Sequence, residues 1–160
     1  MSTNFGNFCD DFFVNMHLHT ALPMPEARET ILGFCEAVQK EFPDLSTFYR
    51  RDDGTYVLEG DRTAGSYRCV EIAQRELSSG AFNPDSVDAA CRQHAWVLER
   101  SRYFLGISHL DVESLDLVLA SSSSSPATAT PSSAMPCSRA ANWAGSSASA
   151  RPSARATPCR

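Results

Sequence analysis

Apolar and polar residues alternate near the front of the chain, in the stretch DFFVNMHLHTA. Val14, Met16 and Leu18 occupy even-numbered positions, whereas His17 and His19 occupy odd-numbered ones. Successive side chains of a β-strand point to opposite faces, so this period of two predicts a strand with one buried face. The two histidines would then lie side by side on the other face.

A period near 3.6 replaces the alternation in PEARETILGFCEAVQKEFP, residues 25–43. Pro25 suits the first turn of a helix, and Pro43 ends it. Between them an apolar stripe recurs at helical spacing, which predicts an amphipathic helix. The stripe consists of Ala27, Ile31, Phe34, Cys35, Val38 and Phe42.

A second helix is predicted over residues 85–101, DSVDAACRQHAWVLERS. Asn83 and Pro84 offer an N-cap and a first-turn proline. Its apolar face again follows helical spacing. The members of that face are Val87, Ala90, Cys91, His94, Val97 and Leu98.

The remaining segments favour strands. Residues 46–60, STFYRRDDGTYVLEG, predict a β-hairpin that turns at Asp53-Gly54, and SYRCVEIAQ at 66–74 predicts a further strand. Residues 103–120 alternate on either side of Gly106, which predicts one bent strand or two short ones. One side of that last segment carries Leu115, Leu117 and Leu119.

The predicted order β-α-β-β-β-α-β indicates an α+β domain in residues 1–120. Hairpin-rich strands with two helices are best accommodated as an antiparallel sheet with both helices on one face. We therefore expect a ferredoxin-like sandwich that carries one added strand.

Residues 121–160 differ abruptly in composition from the rest. They consist mainly of Ser, Ala, Pro, Thr and Arg, with one aromatic residue and no Leu, Ile, Val or Phe. A segment with so little apolar surface cannot offset the entropy of ordering it, so one interpretation is a disordered, low-complexity tail.

A second interpretation of the tail is a frameshift product. The composition changes directly after LDLVLA, inside a predicted strand, and the whole chain holds 13 arginines against one lysine. The residue types enriched in residues 121–160, and arginine in preference to lysine, are specified by GC-rich codons. Residues after about 120 would then replace the native end of the domain, and its last strand would be an unprotected sheet edge.

Charge narrows the classes of partner. Residues 1–120 hold all 19 acidic residues and ten of the basic ones, a net charge of −9. Such a body argues against nucleic-acid binding and against adsorption to anionic lipid, both of which need basic patches. No apolar run is long enough to span a bilayer and the N-terminus lacks a secretory pattern, so we expect a cytoplasmic protein with reduced, mostly structural cysteines.

The fragment NMHLHT resembles the opening motif of PHP-type metal-dependent phosphoesterases and related amidohydrolases. In those families a strand end presents His-x-His to a metal, and the resemblance implies the same for His17 and His19. Neutral imidazole suits zinc or manganese, so a metal-dependent hydrolase is one candidate function. Carboxylates that could complete a smaller site are Asp10, Asp11, Asp111 and Glu113.

The other candidate function is a small non-enzymatic binding or assembly module without a cofactor. Residues 12–119 as a whole resemble an uncharacterised bacterial family of unknown function, which implies no chemistry. The predicted open sheet face would carry His17, His19, Arg50, Arg68 and Asp111 and could meet a protein partner. A sheet edge could instead mediate self-association. The two candidate functions therefore assign different roles to His17 and His19: metal ligands in the hydrolase, and part of a partner-binding face in the binding module.

The frameshift interpretation predicts that the encoding DNA, read in one of the other two frames beyond codon 120, continues with alternating apolar residues into a further strand or helix. Sequencing the gene around that codon checks it. If neither frame continues in that way, the interpretation is wrong.

Overall fold

Strand β1 (Asp11–Thr20) forms from the alternating segment and lies inside the sheet, between two antiparallel neighbours. The computed structural model describes residues 11–122. Within this range lie six strands, two α-helices and one 3-10 helix at Arg62–Ala64. The elements after β1 are α1 (Arg28–Glu41), β2 (Thr47–Arg50), β3 (Tyr56–Glu59), β4 (Tyr67–Ile72), β5 (Glu76–Phe82), α2 (Val87–Phe104) and β6 (Val112–Ser122).

The strands form one antiparallel sheet in the order β2-β3-β4-β5-β1-β6. The prediction of an α+β protein with an antiparallel sheet and two helices is confirmed. The sheet has six strands, however, one more than expected, and the ferredoxin-like arrangement stays a prediction. The predicted tail lies outside the described residues from 123 onward.

The strand that the sequence failed to predict is β5, with the sequence ELSSGAF. Its serines and glycine are poor strand formers, and its alternation is weak. Yet β5 pairs along its length with β4 on one side and β1 on the other, and Leu77 and Ser79 are completely buried. Tertiary pairing therefore overrides the local preference of this segment.

Both helices lie on the same side of the sheet, which we call the helix-side face. Apolar residues of α1 and α2 form one core cluster with those of the strands, and Phe34 of α1 meets the ring of Phe104 in α2 edge-on at 6.2 Å. The buried members from the helices are Ile31, Phe34, Cys35, Val38 and Val97, and those from the strands are Met16, Leu18, Leu58, Val70, Ile72 and Leu77.

The helices begin later than predicted. Helix α1 starts at Arg28, after Ala27, which makes no side-chain capping bond. Helix α2 is capped by Ser86, whose hydroxyl accepts a hydrogen bond from the Ala89 N–H at 3.1 Å. Asn83 has a different role from the predicted cap: it adopts a positive φ of 44°, and its side chain accepts a hydrogen bond from the Phe12 N–H at 2.8 Å.

The predicted hairpin is confirmed, with β2 paired to β3 and Gly54 at a φ of 90° in the turn. The last segment differs from its prediction. Tyr103 and Phe104 end α2, and Gly106, at a φ of 66°, lies in the connection that follows. A single strand, β6, begins only at Val112, since the connection must first bring the chain back to the edge beside β1.

Candidate functional site

His17 and His19 lie on the face of the sheet opposite the helices, which we call the far face. Their rings are nearly parallel, with an interplanar angle of 12° and centroids 6.5 Å apart. Strand pleating accounts for this arrangement, because residues two apart share a face. The two residues differ in environment: His17 is 1% exposed, whereas the side chain of His19 is 37% exposed. The prediction that only the Val14, Met16 and Leu18 side of the strand is buried therefore fails at His17.

His17 is held by Glu76 of β5. Its Nδ1 lies 2.8 Å from the Glu76 Oε1. The hydrogen bond to His17 lowers the pKa of the Glu76 carboxyl below its ordinary value, against the opposing effect of burial. Because a carboxylate only accepts, His17 donates from Nδ1. Its buried Nε2 has no hydrogen-bond partner among the described residues.

His19 faces the other way, toward Asp116 of β6, with 3.6 Å between its Nε2 and the carboxylate. The register explains both pairs: Asp116 lies directly opposite His17, and Glu76 directly opposite His19, so each histidine reaches the carboxylate on a diagonal. Diagonal partners in an antiparallel sheet lie within reach of long side chains. His17, His19 and these two carboxylates thus lie together on the far face of three adjacent strands.

Sequence reasoning missed both of these carboxylates. Glu76 belongs to the strand that was not predicted, and Asp116 was visible only as the polar residue between Leu115 and Leu117. Of the carboxylates considered earlier, Asp111 lies before β6 and accepts a hydrogen bond from the Ser108 N–H at 2.9 Å. This backbone hydrogen bond lowers the pKa of Asp111.

Arg50 and Arg68 do not share a surface with the histidines. The strand register places both on the helix-side face, at its margins. The guanidinium of Arg50 lies 5.0 Å from the centroid of the Tyr56 ring, and that of Arg68 lies 5.1 Å from the Phe42 ring. The structure therefore does not bring the five predicted binding residues together: two lie on the far face, two on the helix side and Asp111 in a loop.

A second buried polar group lies between α2 and β5. Gln93 Nε2 donates to the Ser79 hydroxyl at 3.0 Å and to the Gly80 carbonyl at 3.1 Å, and His94 Nδ1 lies 3.0 Å from the same hydroxyl. Burial lowers the pKa of His94 to about 4. A neutral imidazole in this position attaches the helix to the strand, and Ser79 is too deeply buried to meet a substrate.

The thiols described in the structure have a structural character as well. Cys35 and Cys69 are buried, Cys91 is half-buried, and all three are free. Burial raises the pKa of the Cys35 thiol to about 12. Since the thiolate is the nucleophile, Cys35 is unreactive near neutral pH.

The most unusual surface belongs to β6, the strand at one edge of the sheet. Leu115, Leu117 and Leu119 point to the helix-side face, opposite Leu18, Met16 and Val14 of β1, yet they are 53%, 52% and 51% exposed. Their three neighbours on β1 are almost fully buried. We call this row of leucines, together with the outer edge of the strand, the β6 surface.

Neither a protein-family model nor a curated protein matches the chain.

Within residues 11–122, no group of three or more His, Cys, Asp or Glu side chains is placed to hold a metal ion. None of the helices described there is long and apolar enough to cross a membrane.

The His17–Glu76 pair makes a testable contribution to stability. Replacing Glu76 with Gln keeps the shape but removes the charge, and we expect a loss of about 1–3 kcal/mol at pH 7. A carboxyl whose folded pKa lies below its unfolded value, 4.5, stabilises the fold above that value and loses its effect as the pH falls through the folded pKa. The difference between wild type and Glu76→Gln should therefore shrink as the pH falls below about 4.5.

Urea unfolding of the full chain between pH 3 and 7 measures this difference. Asp116→Asn is the matched control, since its ion pair is longer and its side chain 59% exposed, and about 0.5 kcal/mol or less is expected. Equal losses in the two variants, or a loss that does not depend on pH, would contradict the assignment.

Proposed function

We propose that this protein is a small non-enzymatic binding or assembly module, and that it meets a protein partner through the β6 surface. The observation that carries the proposal is the row of three half-exposed leucines on an edge strand. Isolated surface leucines are ordinary, but a contiguous apolar row beside a free strand edge is typical of an interaction site.

The two edges of the sheet support this choice by their difference. At one edge, β2 has only four residues, contains Arg50 and is followed by Arg51. Short length and positive charge are the usual protection of an edge against pairing. At the other edge, β6 has eleven residues and only two charged ones, Glu113 and Asp116. Protection is thus strong at β2 and weak at β6.

Recognition of a partner through main-chain hydrogen bonds also favours β6 as the binding strand. An extended partner can add itself to an exposed sheet edge, where main-chain hydrogen bonds supply affinity and alternate side chains supply specificity. In β6 the alternate side chains on the helix side are leucines, so the partner segment should offer apolar residues at every second position. The proposal replaces the predicted face of histidines and arginines, whose members are dispersed over the molecule.

The proposal includes a ferredoxin-like core. Strands β6, β1, β5 and β4 are consecutive in the sheet, and α1 and α2 each connect strands that are not neighbours. On this view β2 and β3 form a hairpin added at the β4 side. The added hairpin would widen the sheet at the edge away from β6 and leave the β6 surface unchanged.

A photo-crosslinking amino acid such as benzoylphenylalanine, placed at position 117 of the full chain in its native cells, should capture a discrete protein species. Leu115→Asp in the same chain should reduce the yield at least about tenfold, since a carboxylate cannot be buried in an apolar contact without a large cost. Mass spectrometry identifies the captured species.

The matched control carries the same amino acid at Tyr103, which is 75% exposed and lies on α2. Equal capture at both positions, or none at position 117, would contradict the proposed function.

The competing function is a metal-dependent hydrolase that uses His17 and His19. One observation favours it: Glu76 fixes the Nδ1 of His17, and the Nε2 has no hydrogen-bond partner within the described part of the chain. Carboxylate–histidine pairs of this kind orient metal ligands. Among residues 11–122, however, no third ligand converges on the two histidines. Zinc sites use at least three protein ligands, so the described part of the site is incomplete.

Elemental analysis of protein purified without an affinity tag separates the two functions. We expect zinc and manganese well below one atom per chain, with no change on His17→Ala. Stoichiometric metal that is lost in His17→Ala would favour the hydrolase instead.

A further inference from the structure

We infer that the occupant of the β6 surface is a second copy of this chain, paired antiparallel through β6 about a two-fold axis at Leu117. This inference rests on the proposed function and deepens it by naming the partner. It would join two six-stranded sheets edge to edge and place the leucine rows of the two copies side by side.

Strand β6 is regular from Ser114 to Ser122. Over this stretch it pairs with β1, with Ser122 opposite Asp11 and Ser114 opposite His19, and the register shifts only beyond that point. A stretch without a bulge presents a regular row of N–H and C=O groups along its outer edge. No strand within residues 11–122 pairs with that edge.

The sequence of β6 is complementary to itself. An axis at Leu117 places Leu117 opposite its own copy and Leu115 opposite Leu119, so all three leucines of each copy meet leucines. On the far face it places Asp116 opposite Val118. An axis at Asp116 would instead set two carboxylates directly opposite each other, which destabilises a strand pair. Of these two registers, the sequence of β6 therefore favours the one with its axis at Leu117.

The parts of the chain that precede and follow residues 11–122 contain no Leu, Ile or Val, so their sequences offer no aliphatic row to match the leucines of β6. A second copy does offer one. Because a two-fold contact uses the same patch on both copies, it closes after two chains and does not propagate into a filament.

Sedimentation velocity of the full chain over a range of concentrations tests the inference. We expect a monomer–dimer equilibrium, whose dissociation constant rises at least about tenfold in Leu117→Asp, a change near the centre of the contact. Leu110→Asp is the matched control, because Leu110 is 81% exposed but lies outside β6, and it should leave the equilibrium unchanged.

Disulfide trapping tests the register and does not depend on the folding of Leu117→Asp. Cys9, Cys91, Cys137 and Cys159 are first replaced by Ser, and the buried Cys35 and Cys69 are kept. Leu117→Cys should then form a dimer on mild oxidation, since directly opposed residues lie about 4.5–5.5 Å apart, within disulfide range. Leu110→Cys should not.

Mixing Leu115→Cys with Leu119→Cys should also give a disulfide-linked dimer, since the register pairs these two positions. A wild-type chain that stays monomeric, an open-ended series of larger species, a dimer that Leu117→Asp leaves intact, or equal trapping at 110 and 117 would each overturn the inference. If the monomer still captures a different protein at position 117, the dimer is wrong and the proposed function survives. If it captures none, both fail.

Discussion

The relative widths of the two layers determine which surface this protein leaves free. A packed helix is roughly 10–12 Å wide with its side chains, and neighbouring strands lie about 4.8 Å apart, so two helices cover about four or five strands. The sheet has six. Since α1 and α2 are in contact through Phe34 with Phe104 and Phe42 with Trp96, they cannot spread apart to cover the sixth strand. The uncovered strand is β6, and its leucines are exposed for that reason.

The core residues of the other strands are covered by the two helices. Met16 and Leu18 of β1 and Leu77 of the adjacent strand β5 are almost fully buried against the helices. Burial of each such side chain stabilises the fold by about 1.5–3 kcal/mol relative to exposure. The leucines of β6 have the same chemistry and the same orientation, but no helix described between residues 11 and 122 covers them. Their exposed half is apolar surface that a partner could bury, and the proposed function and the inferred dimer both depend on it.

Several buried polar side chains of this protein hold neighbouring helices and strands in position. The contacts of His94 and Gln93 with Ser79 set the position of α2 on β5, and Arg51 binds the buried carboxylate of Glu71 through two hydrogen bonds. The His17–Glu76 pair joins β1 to β5 in the same way. A histidine motif that resembles a metal site is therefore also explained by a structural pair. The two explanations differ in what they expect at the Nε2 of His17.

Local pattern determined much of this protein by itself. The alternation of β1, the apolar stripes of α1 and α2 and the Asp53-Gly54 turn all follow from short-range periodicity, as does the shared orientation of Leu115, Leu117 and Leu119. Only tertiary structure decided the place of β5, the pairing of His17 with Glu76 and the separation of Arg50 and Arg68 from the histidines. The reason is physical: periodicity states which side chains share a face, but strand order and the reach of the helices decide which neighbours that face meets and whether it is covered.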